Sequence, residues 1–187
     1  MDCYTERVES LRGQLLIASA SLVDPNFHRT VVLVAEHGDE GAMGLVLNRP
    51  SPTDVVEAVP ALEDMVDPDA ALYLGGPVQP ESVVVLGEFR EPEEAAVVVT
   101  GRIGFMPADS EPETIAAVTD RVRVFAGYAG WGTGQLEAEI EEGSWIVEPA
   151  RPDDVFGEDG DLWGSVLRRK GGRFRVLALM PDDPSLN

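Results

Sequence analysis

The chain has 187 residues, 44% of them apolar, and 34 acidic against 14 basic side chains leave a formal net charge of −20. That length favours one domain able to bury about 70% of the surface its unfolded chain exposes, without a disulfide or metal staple. The charge disfavours duplex DNA, whose phosphates a protein normally neutralises with Lys and Arg. Cys3 is the single cysteine, so no internal disulfide can form, which fits a reducing compartment. The longest apolar runs, such as 31–35 and 83–86, are too short to span a bilayer. Residues 1–6 lack the basic and apolar regions of a signal peptide. The expectation is a cytoplasmic protein of one domain over 1–187, with an N-terminal helix or tail over about 1–12 and no membrane association.

Residues 5–11 read as a short helix, with Val8 and Leu11 on one side, and 14–19 as a strand. After the turn Asp24-Pro25-Asn26, the run 30–36 (TVVLVAE) is continuously apolar, as in a strand covered on both faces. The turn 38–41 returns it through 42–48 (AMGLVLN), a hairpin placed at the centre of the sheet. Pro50 and Pro52 stop that strand, and Thr53 is placed to cap a helix running to Val59. An acidic loop over 60–69 leads to a strand at 72–74, ended by Gly75-Gly76-Pro77, a sharp turn needing positive φ. Strands at 82–86 and 96–100 flank the acidic connector 88–94. A helix over 113–121 precedes an alternating strand at 122–128. The turn 130–134, an acidic helix 135–142 and a strand 144–147 follow. Helices at 152–156 and 161–170 and a last strand at 174–180 complete the reading. No 20–50-residue repeat and no βαβ rhythm is present, which favours α+β with a mixed or antiparallel sheet.

The chain has no GxSxG elbow, Walker A loop or CxxC pair, and its histidines are His28 and His37. A zinc site would need both plus carboxylates, so no metal and no cofactor is expected. Glu36 and His37 point to opposite faces of a strand, and His37 reads as structural. The basic run Arg168, Arg169, Lys170, Arg173 and Arg175 fits a helix C-terminus closed by Gly171, without the aromatics that would stack bases. The glycine-rich stretch 127–134 opens onto a helix, which suits an anion, but Glu137, Glu139, Glu141 and Glu142 follow and the dinucleotide spacing fails. Its glycines read as room for Tyr128 and Trp131 to pack.

The stretches Leu16-Ile17-Ala18, Asp24 to Val32, Glu36-His37, Gly41 to Pro50, Gly75-Gly76-Pro77-Val78 and Phe125 to Glu137 together resemble the YqgE/AlgH family. The resemblance runs in order from about Gly13 to Trp163; Ser19-Ala20 stand where the family often has proline after its LIA. It implies an α+β fold whose branched, mixed or antiparallel sheet folds into a pseudo-barrel with peripheral helices. Some members are described as transcriptional regulators, and the resemblance brings no catalytic residues with it. The reading is therefore a non-enzymatic binding or regulatory protein, acting through a protein partner or small ligand and not directly on DNA. The alternative is a small-molecule sensor or enzyme with a pocket near Arg49, Gly76 and Trp131. Candidate ligand-binding residues are Asn48, Arg49, Gly75, Gly76, Gly130 and Trp131. Glycines let backbone approach a ligand, Arg49 offers a planar anion-binding fork, and Trp131 offers a flat apolar wall. Against these stand two structural roles: an ion pair for Arg49 with a carboxylate, and a packing role for Trp131.

Overall fold

A continuous apolar run can serve as a strand only where both of its faces are covered. The computed structural model of the protein describes residues 9–158 and 160–181 and supplies that cover. Strands β1 (Gln14–Ala18), β2 (Val31–Gly38) and β3 (Gly41–Val46) are antiparallel neighbours. The register aligns Leu15 with Leu33 and Leu45, and Leu16 with Val32 and Val46. Because successive side chains alternate, the first row joins Phe125 and Trp163 in one core, and the second joins Trp131 and Trp145 in another. The hairpin is thus interior to the sheet.

The remaining elements are β4 (Pro50–Asp54), α1 (Val55–Ala58), β5 (Ala71–Leu74), β6 (Val78–Phe89), β7 (Val97–Thr100) and β8 (Ile103–Phe105). Then come α2 (Pro112–Val118), β9 (Thr119–Trp131), α3 (Gln135–Glu141), β10 (Trp145–Pro149), α4 (Pro152–Phe156), α5 (Leu162–Lys170) and α6 (Phe174–Leu177). The ten-stranded sheet runs β10-β1-β2-β3-β9-β6-β8-β7, with β4 and β5 as a side branch. Its fold is α+β, and the sheet is not closed into a barrel. The branch forms along β9. One edge follows β6, while the other takes β3 through Ala129–Trp131 pairings and β5, in parallel, at Phe125 and Ala126. Among the described residues no helix is long and apolar enough to cross a membrane.

Several local expectations are corrected. The helix expected over 5–11 lies mostly outside the described residues, and Glu9 to Leu11 are not helical. Thr53 caps no helix: residues 50–54 are strand β4, paired through Pro50–Tyr73 and Asp54–Ala71. An outer strand tolerates proline because the missing N–H faces no neighbour; the helix is confined to Val55–Ala58. The helix expected to reach Arg121 stops at Val118, since Thr119 and Arg121 pair with Phe89 and Glu88. Strand β6 is longer than expected and takes in Glu88, and β8 was not anticipated. The strand expected at 174–180 is helix α6. Gly171 and Gly172, at φ of 80° and 55°, turn the chain back, and Phe174 and Leu177 pack on the core side facing α5. The β10 edge it might have joined is met by Lys170, whose Nζ donates to the Val147 carbonyl at 2.8 Å.

Candidate functional site

The branch in the sheet explains most of the motif residues. Asn48 leaves β3 and ties the 24–30 loop down: its Oδ1 accepts from the Val31 N–H at 3.0 Å and its Nδ2 donates to the Arg29 carbonyl at 2.9 Å. Among the described residues Arg49 meets no carboxylate. Its Nη2 donates to the His28 carbonyl at 2.9 Å, and both terminal nitrogens reach the Pro25 carbonyl at 3.4 Å. The Arg49 carbonyl accepts from Leu74 N–H at 2.8 Å, and the Gly75 carbonyl accepts from Val46 N–H at 2.9 Å. Gly75 N–H in turn donates to Ala126 at 2.9 Å. Gly76 has φ +155°, and a Cβ there would overlap the Tyr128 carbonyl group. The three motif stretches meet backbone to backbone where β3 gives way to β5.

Asn48 and Trp131 line different clefts. Trp131 is 6% exposed, and its Nε1 donates to Glu139 Oε2 at 2.9 Å; Trp145 Nε1 donates to the same oxygen at 2.8 Å. Its ring stands edge-on to Trp145, with centroids 6.0 Å apart, and stacks near Phe27 at 6.2 Å. Trp131 and its neighbours Ala42 and Met43 border one shallow depression, whereas Asn48 lines another cleft. Gly75 is buried and Gly130 is exposed.

The cleft that Asn48 touches encloses about 860 Å³ between residues 64–71, β5, β9 and the turn after α4. That volume is in the usual range for small-ligand sites, about 300–1,000 Å³. Its apolar lining comes from Tyr73, Phe156, Leu162, Met65 and Val66. Arg123, only 9% exposed, lines it as well. Its guanidinium lies 4.2 Å from the Tyr73 ring centroid, and Nη2 donates to the Gly157 carbonyl at 2.8 Å. Among the described residues no carboxylate forms an ion pair with it. An arginine fork has further N–H donors, and here none of them is at once fully buried and without a partner, so they are open to a ligand in the cleft. Burial pulls the guanidinium down from its ordinary value, Tyr73 and Glu158 oppose that, and Arg121 adds to it.

Arg121, two residues earlier on the same face, is differently committed. It donates to Glu88 Oε2 at 2.7 Å and Asp153 Oδ1 at 2.8 Å, while Arg102 donates to Glu88 Oε1 at 2.7 Å. Burial by itself would raise the Glu88 carboxyl; the hydrogen bonds and charges of Arg121 and Arg102 overcome it and hold the group below its ordinary value. Asp120, bonded by Arg90 and Arg102, is lowered as well. This is a cross-strand electrostatic lattice, and it leaves Arg123 outside it.

Sequence reasoning passed over Arg123 and Tyr73. A signal existed: in the alternating run 122–128, Arg123 is in phase with the core residue Phe125. The other polar candidates are structurally engaged. His37 Nδ1 accepts from Leu11 N–H at 3.0 Å, which places its proton on Nε2, 2.8 Å from Glu137 Oε1. In the basic run, Arg168 pairs with Asp161, Arg169 with Asp154 and Lys170 with Glu148. Gly171, as expected, ends that helix.

The fold and site define a class: an acidic α+β domain with a branched sheet and a polar cleft along its branch strand. The chain belongs to the AlgH-like family, whose model matches residues 15–175. A UPF0301 protein of Streptomyces coelicolor is 43% identical over 187 residues, spanning 96% of this chain and 97% of the relative. One from Mycolicibacterium smegmatis is 42% identical over 181 residues, spanning 94% and 90%. Among solved structures, a crystal structure from Corynebacterium diphtheriae is similar with TM-score 0.84 and 34% identity, over 94% and 95% of the two chains. The solution structure of the AlgH protein from Pseudomonas aeruginosa is similar with TM-score 0.71 and 30% identity, over 97% and 98%.

Proposed function

We propose that this protein is a non-enzymatic binding protein of the bacterial cytoplasm that takes a small anionic ligand in the cleft at Arg123. Any regulatory role then runs through that ligand, or through a protein partner, and not through duplex DNA. The observation that carries the reading is Arg123 itself: a residue only 9% exposed, its guanidinium over the Tyr73 ring, with one backbone partner and, among the described residues, no ion pair. Burying a charge without a counter-charge is costly, and a ligand carboxylate or phosphate would offset that cost with charge-assisted, bidentate hydrogen bonds. The cleft walls add apolar surface for the rest of the ligand. A binding role is favoured over catalysis because neither histidine lines the cleft and both hold loops elsewhere. The proposed site rests on Arg123 and not on Arg49, Gly76 or Trp131.

The test is an amide-detected NMR titration of the whole chain with small carboxylates, amino acids and inorganic phosphate at millimolar concentration. Saturable shifts at Tyr73, Arg123 and Gly157 are expected from at least one of these probes. They should vanish in Arg123→Met, with circular dichroism confirming that the variant is folded. Silence from every probe, or shifts that Arg123→Met leaves intact, would overturn the reading.

A further inference from the structure

The cleft carries charges of both signs. Asp64, Asp67 and Asp69 on the 64–71 segment, and Glu158 after α4, are exposed residues of its lining. Among the described residues none of the three aspartates forms an ion pair. The cleft-lining cations are Arg121 and Arg123, and Arg121 is already bonded to Glu88 and Asp153. The cleft lining thus combines exposed carboxylates with one guanidinium, Arg123, that has a backbone partner but, among the described residues, no ion pair. The same lining carries the apolar side chains Tyr73, Phe156, Leu162, Met65 and Val66.

This arrangement sorts ligands by where their charges lie. A polyphosphate or simple dianion would meet those exposed carboxylates in a protein of net charge −20, where like-charge repulsion opposes it. A plain amine would stay with the carboxylates and leave Arg123 without a counter-charge. A molecule carrying both a carboxylate and an ammonium satisfies both, and an apolar body meets the apolar lining. Accepting that the cleft binds an anion at Arg123, we infer that its ligand is a zwitterion of the amino-acid or short-peptide class, with an apolar body. Its carboxylate sits on the Arg123 fork and its ammonium among Asp64, Asp67 and Asp69. Uncompensated acids in the lining then act as a selectivity device, rejecting anions that lack a cation.

Calorimetric titration of the whole chain with three matched probes tests this: leucyl-leucine, its N-acetyl derivative, which lacks the ammonium, and leucyl-leucinamide, which lacks the carboxylate. Leucyl-leucine is expected to bind at least about tenfold more tightly than either, a margin of about 1.4 kcal/mol per charge. The triple variant Asp64→Asn, Asp67→Asn, Asp69→Asn alters only exposed side chains, so it should melt like the native protein. It should close the gap by improving the acetylated peptide. An acetylated peptide that binds the native chain as tightly as leucyl-leucine would overturn the zwitterion inference and leave anion binding standing. A leucyl-leucinamide that binds as tightly as leucyl-leucine would sink both, since Arg123 would have no part. Failure of all three probes also overturns the inference; the anion reading then stands or falls on the wider carboxylate and phosphate panel.

Discussion

Replacing Trp131 separates a packing role from a ligand-facing one, because the structure fixes what each substitution removes. The indole is 6% exposed and lies between Phe27 and Trp145, so Trp131→Ala opens a cavity in a core already closed by α3. Truncations of this kind cost about 3–5 kcal/mol. Trp131→Phe keeps much of the packing and gives up the 2.9 Å bond to Glu139. A hydrogen bond to a charged group contributes about 1.5–3 kcal/mol. Here Glu139 keeps Trp145 at 2.8 Å and Gln135 at 2.9 Å, so its carboxylate is not orphaned. The expected cost of Trp131→Phe is therefore nearer 1–2 kcal/mol, at the low end of that range. Urea melts read by circular dichroism give both numbers, with unchanged slope showing that the unfolding reaction is the same. A variant keeping Trp131 alone, with Trp145 and Trp163 replaced by Phe, should resist iodide quenching. Strong quenching there, together with near-native stability of Trp131→Ala, would refute the packing argument.

Val32→Asp buries a charge in the interior of the sheet, where Val32 is 0% exposed, and should cost about 4 kcal/mol or more; a soluble variant melting like the native protein would contradict the central placement. Gly76→Ala should destabilise by about 3 kcal/mol or more, since φ +155° and the Tyr128 carbonyl group both exclude a Cβ, and a thermal melt decides it. For Glu88, the folded pKa lies below the ordinary value near 4.5. Its contribution is therefore complete above the unfolded value and is lost as pH falls through the lower folded one. Glu88→Gln should lose about 2–3 kcal/mol near neutral pH, because Arg102 and Arg121 remain partly exposed and keep Asp120 and Asp153. The penalty should shrink on acidification, and one that stays constant from neutral pH down to pH 2 would mean that Glu88 acts through shape alone. Fluorescence anisotropy at about 150 mM salt should show no sequence-selective duplex binding at a net charge of −20, and sub-micromolar selective binding would reverse that view.

What could be read in the sequence was local. The run of β2 announced a strand covered on both faces because alternation alone sends Val32 and Leu33 into different cores. Helices α4 and α5 were legible from Pro152 at a first turn, from Asp161, whose side chain accepts from Gly164 N–H at 3.0 Å, and from the glycines that stop them. The glycine motifs pointed to close backbone approach, which is what Gly76 against Tyr128 provides. What approached was another strand.

Everything that depended on a distant partner was decided by the tertiary structure. Residues 50–54 carry two prolines and a cap-like threonine, yet they are a strand because β5 offers an open edge. Residues 174–180 have the composition of a strand, but the sheet edge near them is occupied by Lys170 and Gly171-Gly172 turns them onto a helix. The site follows the same rule. Phase with Phe125 pointed Arg123 inward, but what it meets there is Tyr73 from β5 and the Gly157 carbonyl after α4. Neither is its neighbour in the chain. Periodicity and caps act over a few residues, whereas burial and charge compensation are set by whichever surfaces the sheet brings together.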